Sequence, residues 1–214
     1  MKLLVEMAGE QDVEMLVEND QKGKKYYIEG KFASVDEEVK NGRIYESKVW
    51  LPALQKYHEE FISQKRALGE LNHPPHATLD LSRASHIIEN LKHDASCNGI
   101  VGRARILEST PMGAIAKALL EEGVRLGVST RGLGSLIERE GKRFVGSDFM
   151  LNAIDIVADP SGRNCIVNHV MENVDYEMLA DGSIIQVVVD VAKNKINEQK
   201  ALKEFTRLME IFSK

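Results

Sequence analysis

Residues 124–140 have the sequence VRLGVSTRGLGSLIERE, in which short apolar stretches alternate with glycines. The next stretch, residues 142–160, has the sequence KRFVGSDFMLNAIDIVADP and the same character. Both are typical of β-strands that are interrupted at glycine. Nearer the N-terminus, residues 26–35 (YYIEGKFASV) are rich in aromatic and β-branched side chains, which predicts another strand.

The remaining elements combine further strands with helices. Two strands are predicted at 83–93 and 99–107, on either side of the turn DASCNG. Helices are predicted where apolar residues recur at helical spacing, from Pro52 to about Lys65, from Thr110–Pro111 to Gly123, and over 197–212. Residues 166–182 look irregular, and 183–195 fit either a strand or the start of a helix. A strand-rich chain with three or four helices predicts an α+β fold.

Composition restricts the classes of partner. The 214 residues are 43% hydrophobic and 29% charged, as expected for a globular protein with its own core. The net charge of −5 gives no electrostatic reason to bind nucleic acid or an anionic membrane, and no apolar run is long enough to cross a bilayer. The two cysteines predict reduced thiols rather than a disulfide framework. We therefore expect no nucleic-acid or membrane partner.

A histidine stands in a stiff segment at residues 67–75, ALGELNHPP. Proline at 74 disfavours the helical conformation for His73, so residues 73–80 are predicted to form an exposed loop with the ring in a fixed direction. Such placement suits a catalytic base, whereas the alternative is a surface histidine without a function. His73 and His76 have the spacing of metal ligands, but no second pair of ligands is near in sequence, so no metal or other cofactor is predicted.

A serine lies among small residues at 127–136, GVSTRGLGSL. A nucleophilic serine needs open space for a substrate carbonyl and nearby backbone N–H groups for the oxyanion. Ser129 has small neighbours, and Arg131 and Gly132 offer a charge and an unhindered amide. The alternative is a strand with a glycine bulge and no chemistry.

A carboxylate interrupts an apolar strand at 152–162, NAIDIVADPSG. Burying Asp155 is costly unless the carboxylate is paired, and a partner that orients a catalytic histidine is one such pairing. The alternative is an aspartate on the solvent-exposed face of an edge strand.

The order of these motifs carries more information than any one of them. GELNHPP, GRARIL, GVSTRGLGSL and AIDIVADPS, preceded by KNGRIY (40–45), resemble the prohead core proteases of T-even-like tailed phages over about residues 26–170. That family looks related to the herpesvirus maturation protease, assemblin. The resemblance implies an α+β fold, a compact and mostly antiparallel β-barrel of herpesvirus-protease type with flanking helices.

The resemblance also implies an activity. The expected protein is a serine endopeptidase, made as an inactive zymogen, that cleaves scaffold or core proteins, the major capsid protein and itself. Its expected location is the immature prohead in the host cytoplasm. Cleavage is expected after Glu in apolar-x-Glu motifs. The resemblance is also compatible with a homo-oligomer, because assemblin-type enzymes can be activated by dimerisation.

Matching the motifs residue by residue assigns the roles. His73 matches the family histidine, which acts as the base, and Ser129 matches the nucleophile, with Thr130 as an alternative hydroxyl. Asp155 is the expected third member, and Glu70 and His169 are alternatives.

Oxyanion and substrate contacts are expected from the segment that follows the serine. The residues assigned to them are Thr130, Arg131 and Gly132, with backbone amides near Arg131 and Gly132 holding the oxyanion.

Self-processing would divide the chain into three parts. They are an N-terminal segment (1–23), a protease domain (24–182) and a C-terminal helical segment (183–214). Candidate cleavage sites are Leu16-Val17-Glu18 and Leu208-Met209-Glu210, although similar triplets also occur at ordinary helical positions.

Two other functions remain. A catalytically silent, assemblin-like β-barrel could serve as a structural protein of capsid assembly. A generic hydrolase could act on an unrelated substrate.

Overall fold

The computed structural model describes residues 1–7, 13–20, 23–74, 76–158, 174–178 and 184–188. Within these ranges the chain forms two α-helices, α1 (Ser47–Tyr57) and α2 (Pro111–Glu121), and thirteen strands. The strands are β1 (Lys2–Met7), β2 (Val13–Asp20), β3 (Gly23–Ser34), β4 (Arg43–Ile44), β5 (Leu68–Glu70), β6 (Ala84–Asp94), β7 (Gly99–Ile106), β8 (Leu126–Gly134), β9 (Leu136–Arg139), β10 (Lys142–Val145), β11 (Met150–Ala158), β12 (Val174–Met178) and β13 (Ile184–Val188).

The strands form three sheets. One five-stranded sheet has the order β11-β8-β1-β12-β13, the other has the order β2-β3-β7-β6-β5, and a small sheet has the order β4-β10-β9. All paired strands are antiparallel except β4 and β10. The predicted α+β class is therefore confirmed, with mostly antiparallel sheets. The described strands do not close into a barrel, so the expected barrel is not confirmed.

Several predicted elements are confirmed. Strands β3, β6 and β7 lie where the patterns indicate, and β13 shows that part of 183–195 is a strand. Helix α2 begins after Thr110, whose side chain accepts a hydrogen bond from the Gly113 amide at 3.1 Å, and Pro111 is its first residue. The N-cap and the proline explain why the sequence predicts this start well. The helix expected at 197–212 lies outside the described residues.

Helix α1 differs from its prediction. It begins at Ser47 rather than at Pro52, which lies inside the helix, and a π-helical turn follows at His58–Ile62. Packing explains the earlier start, because Val49 and Trp50 already belong to the buried face of the helix. The Trp50 indole also donates to the Ser34 carbonyl at 3.1 Å. Tertiary packing here overrides the preference of proline for the first helical turn.

The two larger sheets meet where β5 ends. Leu71 forms an isolated parallel bridge with Ile156 of β11, and the Asn72 amide donates to the Ile156 carbonyl at 2.7 Å. The loop that follows β5 therefore starts against β11. This loop is confirmed, but the expected exposure holds only in part: Thr78 is exposed, whereas Pro74 and Ala77 are buried and the His73 side chain is 3% exposed.

Strand β8 occupies the interior of its sheet. It pairs with β11 on one side and with β1 on the other. Residues Lys2–Met7, at the N-terminal end of the expected N-terminal segment, are thus an integral strand of the sheet that carries Ser129. Whether 1–23 is removed stays a prediction. Among the described residues no helix has the length and apolar character needed to cross a bilayer.

Candidate active site

Strand pairing brings Ser129 beside Asp155. The two are Cα partners in the antiparallel ladder between β8 and β11. Side chains that lie directly opposite in such a ladder point to the same face of the sheet, with Cβ atoms about 5 Å apart. Both residues are fully buried. Asp155 therefore lies on a buried face of β11, the first strand of its sheet, and not on a solvent-exposed face.

His73 is hydrogen-bonded to the same carboxylate. Its Nδ1 lies 2.8 Å from Asp155 Oδ2. An ionised carboxylate only accepts hydrogen bonds, so Nδ1 carries the proton in this pair and Nε2 is the basic nitrogen. His73 Nε2 is buried and has no hydrogen-bond partner among the described residues. The ring nitrogen that could accept a proton is therefore not hydrogen-bonded to Ser129 in this structure.

The backbone before His73 fixes the direction of the ring. Asn72 adopts a left-handed conformation with φ of 66°, which asparagine tolerates better than most residues. Its Oδ1 accepts a hydrogen bond from the His73 amide at 3.1 Å. The Asn72 amide is itself tied to β11, so the turn before His73 is held from two sides.

The Asp155 carboxylate is charged despite its burial. Burial by itself raises the pKa of this group, but the hydrogen bond from His73 and the positive charge of Arg131 outweigh burial and hold the pKa below its ordinary value. The amide of Glu70 also donates to Asp155 Oδ1, at 3.0 Å. A charged aspartate can orient an imidazole and stabilise its cation.

Arg131 is buried under the His73–Asp155 pair, and all five of its N–H groups are used within the protein. Nε donates to Asp155 Oδ2 at 2.9 Å, and Nη2 donates to Asp155 Oδ1 at 3.3 Å and to Glu70 Oε1 at 3.0 Å. Nη1 donates to the carbonyls of His76 and Thr78 at 2.9 and 3.0 Å. The guanidinium therefore has no N–H left for a substrate or an oxyanion. The expected role of its backbone amide stays a prediction, because Arg131 pairs with β1 on one side and β11 on the other.

Of the two alternatives for the third member, Glu70 is bonded to other groups. The Glu70 carboxylate accepts hydrogen bonds from Arg131, from Arg83 Nε at 3.1 Å and from the Asp80 amide at 2.9 Å. It is the Asp155 carboxylate, not that of Glu70, that is bonded to His73. His169 lies outside the described residues.

Thr130 and Gly132 lie on the opposite face of β8 from Ser129. Neighbouring residues of a strand face opposite sides, so Thr130 lies on the other face from Ser129. A Cβ at Gly132 would clash with the Phe149 ring and the Met150 carbonyl, which gives this glycine a packing role. Their expected part in oxyanion or substrate binding stays a prediction.

A second histidine near the site carries no sequence signal. His86 of β6 is fully buried, donates from Nε2 to the Ile154 carbonyl at 2.9 Å, and accepts at Nδ1 from Ser85 Oγ at 2.8 Å. A Cβ at Gly69 would clash with both the His86 ring and the Ile154 carbonyl, so glycine permits this close approach of β5 to β11. His86 therefore supports the backbone next to Asp155.

The neutral state of His86 predicts a pH dependence of stability. Burial lowers the pKa of His86 to about 4, against the opposing charge of Asp155 and the hydrogen bond to Ile154. Because the unfolded imidazole titrates near pH 6.5, the unfolded state binds more protons between about pH 6.5 and 4. The contribution of His86 is thus complete above pH 6.5, and we expect a loss of about 2 kcal/mol in the free energy of unfolding between pH 7.5 and 5. Urea unfolding at both pH values measures it.

The control for this prediction is His86→Gln, which cannot titrate but keeps an N–H group for the Ile154 carbonyl. Its stability should fall less over the same pH range, by roughly the amount assigned to His86. Equal losses in the two proteins would show that His86 is not the titrating group.

An α+β protein in which a buried strand serine lies opposite an aspartate bonded to a histidine contains the residue types of a Ser-His-Asp hydrolase site, with no hydrogen bond between Ser129 and His73 Nε2. The family model described as "Prohead core protein serine protease" matches residues 4–175, so the chain belongs to this family. The family prediction is thereby confirmed.

The chain is similar to a curated protein and to a solved structure, both from bacteriophage T4. The chain is 40% identical over 139 residues to the prohead core protein protease of Enterobacteria phage T4, an alignment that covers 63% of this chain and 64% of that protein. The solved structure of the bacteriophage T4 capsid assembly protease matches with a TM-score of 0.68 at 36% identity, over 74% of this chain and 98% of that one. The chain thus spans somewhat less than two thirds of the curated relative.

Proposed function

We propose that the protein is a serine endopeptidase with Ser129 as nucleophile, His73 as general base and Asp155 as the residue that orients His73. The observation that carries this proposal is the 2.8 Å hydrogen bond from His73 Nδ1 to Asp155, with Ser129 at the opposing ladder position. The hydrogen bond leaves Nε2 as the nitrogen that can accept a proton.

The proposed roles define the chemistry. His73 Nε2 takes the proton from Ser129 Oγ as the oxygen attacks the scissile carbonyl, and it later gives this proton to the leaving amine. The charged Asp155 stabilises the imidazolium that forms between these steps. Backbone amides near Arg131 and Gly132 are our proposal for the oxyanion site.

The proposed substrates follow from family membership. The names of the two T4 relatives describe a prohead core protease and a capsid assembly protease. For this chain we propose cleavage of phage scaffold or core proteins and of the major capsid protein, inside the immature head in the host cytoplasm. Cleavage after Glu in apolar-x-Glu motifs and the herpesvirus-type barrel remain predictions of the resemblance.

Self-processing is part of the same proposal. The candidate site Leu16-Val17-Glu18 lies within β2, where Glu18 pairs with Lys25 of β3. A protease needs its substrate as a free extended chain, so cleavage after Glu18 requires β2 to leave this ladder first. The other candidate site, at 208–210, lies outside the described residues.

A fluorophosphonate probe tests the nucleophile directly. It forms a covalent bond to an activated serine, and we expect peptide mass spectrometry to locate the label on Ser129. In His73→Gln the labelling rate should fall by at least 100-fold, because the serine loses its general base. Labelling of a different residue, or labelling that is unaffected by the loss of His73, would contradict the proposal. A protein that is not labelled at all would favour the structural capsid-assembly alternative.

A further inference from the structure

The guanidinium of Arg131 binds both parts of the chain that form the candidate site. We propose that Arg131 is a positioning residue that holds Asp155 and the loop carrying His73 in one fixed arrangement. This inference rests on the proposed function, because it assigns a role at the same site.

On the strand side, Arg131 fixes the carboxylate plane. Arg131 follows Ser129 by two residues on β8, so both side chains lie on the same face. Its Nε donates to Asp155 Oδ2, the oxygen that also accepts from His73 Nδ1, and its Nη2 reaches Oδ1. With both oxygens held, the carboxylate cannot rotate, and the direction in which it holds the imidazole is fixed.

On the loop side, Arg131 fixes the segment that follows His73. Its Nη1 donates to the carbonyls of His76 and Thr78. These two hydrogen bonds tie the loop to the interior of the sheet. The same planar group therefore contacts the aspartate and the segment that carries its histidine partner.

Glu70 extends the arrangement to the segment before His73. Its Oε1 accepts from Arg131 Nη2, and its Oε2 accepts from Arg83 Nε. Arg83 Nη2 in turn donates to the carbonyls of Leu71 and Asn72, at 2.9 and 3.4 Å. His73 is thus bracketed by one arginine on each side.

The charges of this cluster are balanced. Arg131 and Arg83 face the carboxylates of Asp155 and Glu70, and only Arg83 among the four is partly exposed. A buried ion pair often contributes no more stability than apolar residues of the same volume. A cluster of this kind beside a reactive pair is therefore better explained by the geometry that it imposes than by stability alone.

Two variants and a matched control test this role. Arg131→Lys keeps the charge but cannot make all five hydrogen bonds of the guanidinium. Arg83→Gln breaks the ion pair with Glu70. Arg103→Gln is the control, because Arg103 is similarly exposed (29% against 33% for Arg83) and pairs with Glu29 on β3. With a Leu-x-Glu peptide we expect kcat to fall about 100-fold in Arg131→Lys and about 10-fold in Arg83→Gln, since small displacements of reacting groups have effects of this size. KM should change by less than about 2-fold, and the control should behave as the wild type.

The proton on His73 Nδ1 gives a readout that does not require proteolysis. A buried imidazole N–H that donates to a carboxylate gives a far-downfield proton NMR resonance, which is assigned by its absence in His73→Gln. We expect this resonance in the wild type and in Arg103→Gln, and its loss or broadening in Arg131→Lys and Arg83→Gln.

The possible results are distinguishable. Variants that keep both the resonance and the wild-type kcat overturn the inference. Variants that lose kcat but keep the resonance also overturn it, and so does a wild type that lacks the resonance. If Arg131→Lys does not fold, Arg83→Gln decides, because its side chain is partly exposed. A wild type that shows the resonance but cleaves no peptide refutes the proposed function, and the effect of Arg83→Gln on the resonance still tests the positioning role.

Discussion

Ser129→Ala is expected to lower kcat for cleavage of a Leu-x-Glu peptide by about 10⁶-fold, because removal of a serine nucleophile from a Ser-His-Asp site has effects of this size. The fold should not change. Ser129 is fully buried in an interior strand, and alanine, which lacks only the hydroxyl, fits the same space. Peptide cleavage measured by mass spectrometry, with circular dichroism and urea unfolding as checks of the fold, tests this expectation.

The neighbouring hydroxyl supplies the discriminating variant. Thr130→Val removes the alternative hydroxyl, which lies on the opposite face of β8, and should leave most of the activity. Ser96→Ala, in the exposed turn between β6 and β7, is the inert control. If Thr130→Val loses the activity and Ser129→Ala keeps it, the nucleophile is misassigned.

Asp155→Asn is expected to lower kcat by about 10⁴-fold through the wrong histidine tautomer. The Asp155 oxygens accept hydrogen bonds from His73 Nδ1, Arg131 and the Glu70 amide, so each of these described neighbours is a donor. An asparagine at this position places an NH₂ group, itself a donor, among these donors. His73 is the one neighbour that can respond, by moving its proton to Nε2, and it then cannot accept the proton of Ser129.

The same substitution should also destabilise the protein. It leaves the buried Arg131 with a neutral partner, and breaking a buried ion pair in this way typically costs about 3–5 kcal/mol. Activity is therefore compared at a temperature where urea unfolding shows the variant to be folded. Asp94→Asn is the control, because Asp94 accepts a hydrogen bond from Ser96 in an exposed turn. This variant should change neither kcat nor the free energy of unfolding by a comparable amount. A folded Asp155→Asn variant with near-normal kcat would exclude Asp155 as the orienting residue.

Local signals in the sequence were sufficient for much of the fold. The N-cap and proline before α2 and the aromatic and β-branched run of β3 are short-range features, and the corresponding elements lie where they indicate. Helix α1 was misplaced because its start depends on burial of Val49 and Trp50, which is a property of the tertiary structure. The loop after β5 was expected to be exposed for a similar reason, since its packing against β11 is invisible in the local sequence.

The order of the motifs predicts the residues of the candidate site, but it does not predict the hydrogen bonds and ion pairs between them. The two-residue spacing of Ser129 and Arg131 already places both on one face of a strand, and this signal could have indicated that Arg131 lies under the site. The pairing of Arg131 with Glu70 and Asp155 joins residues far apart in the chain, so no local pattern reveals it. His86 gives no signal at all, because an isolated histidine within a strand has no distinctive spacing.

The burial of Ser129 has a kinetic consequence. A reagent can attack its oxygen only in the fraction of molecules in which the site is open, so the apparent second-order rate constant is the intrinsic constant multiplied by that fraction. At high probe concentration the opening step becomes limiting, and the labelling rate should reach a plateau that is independent of the probe. The rate at that plateau would measure the rate constant with which the structure around β8 opens.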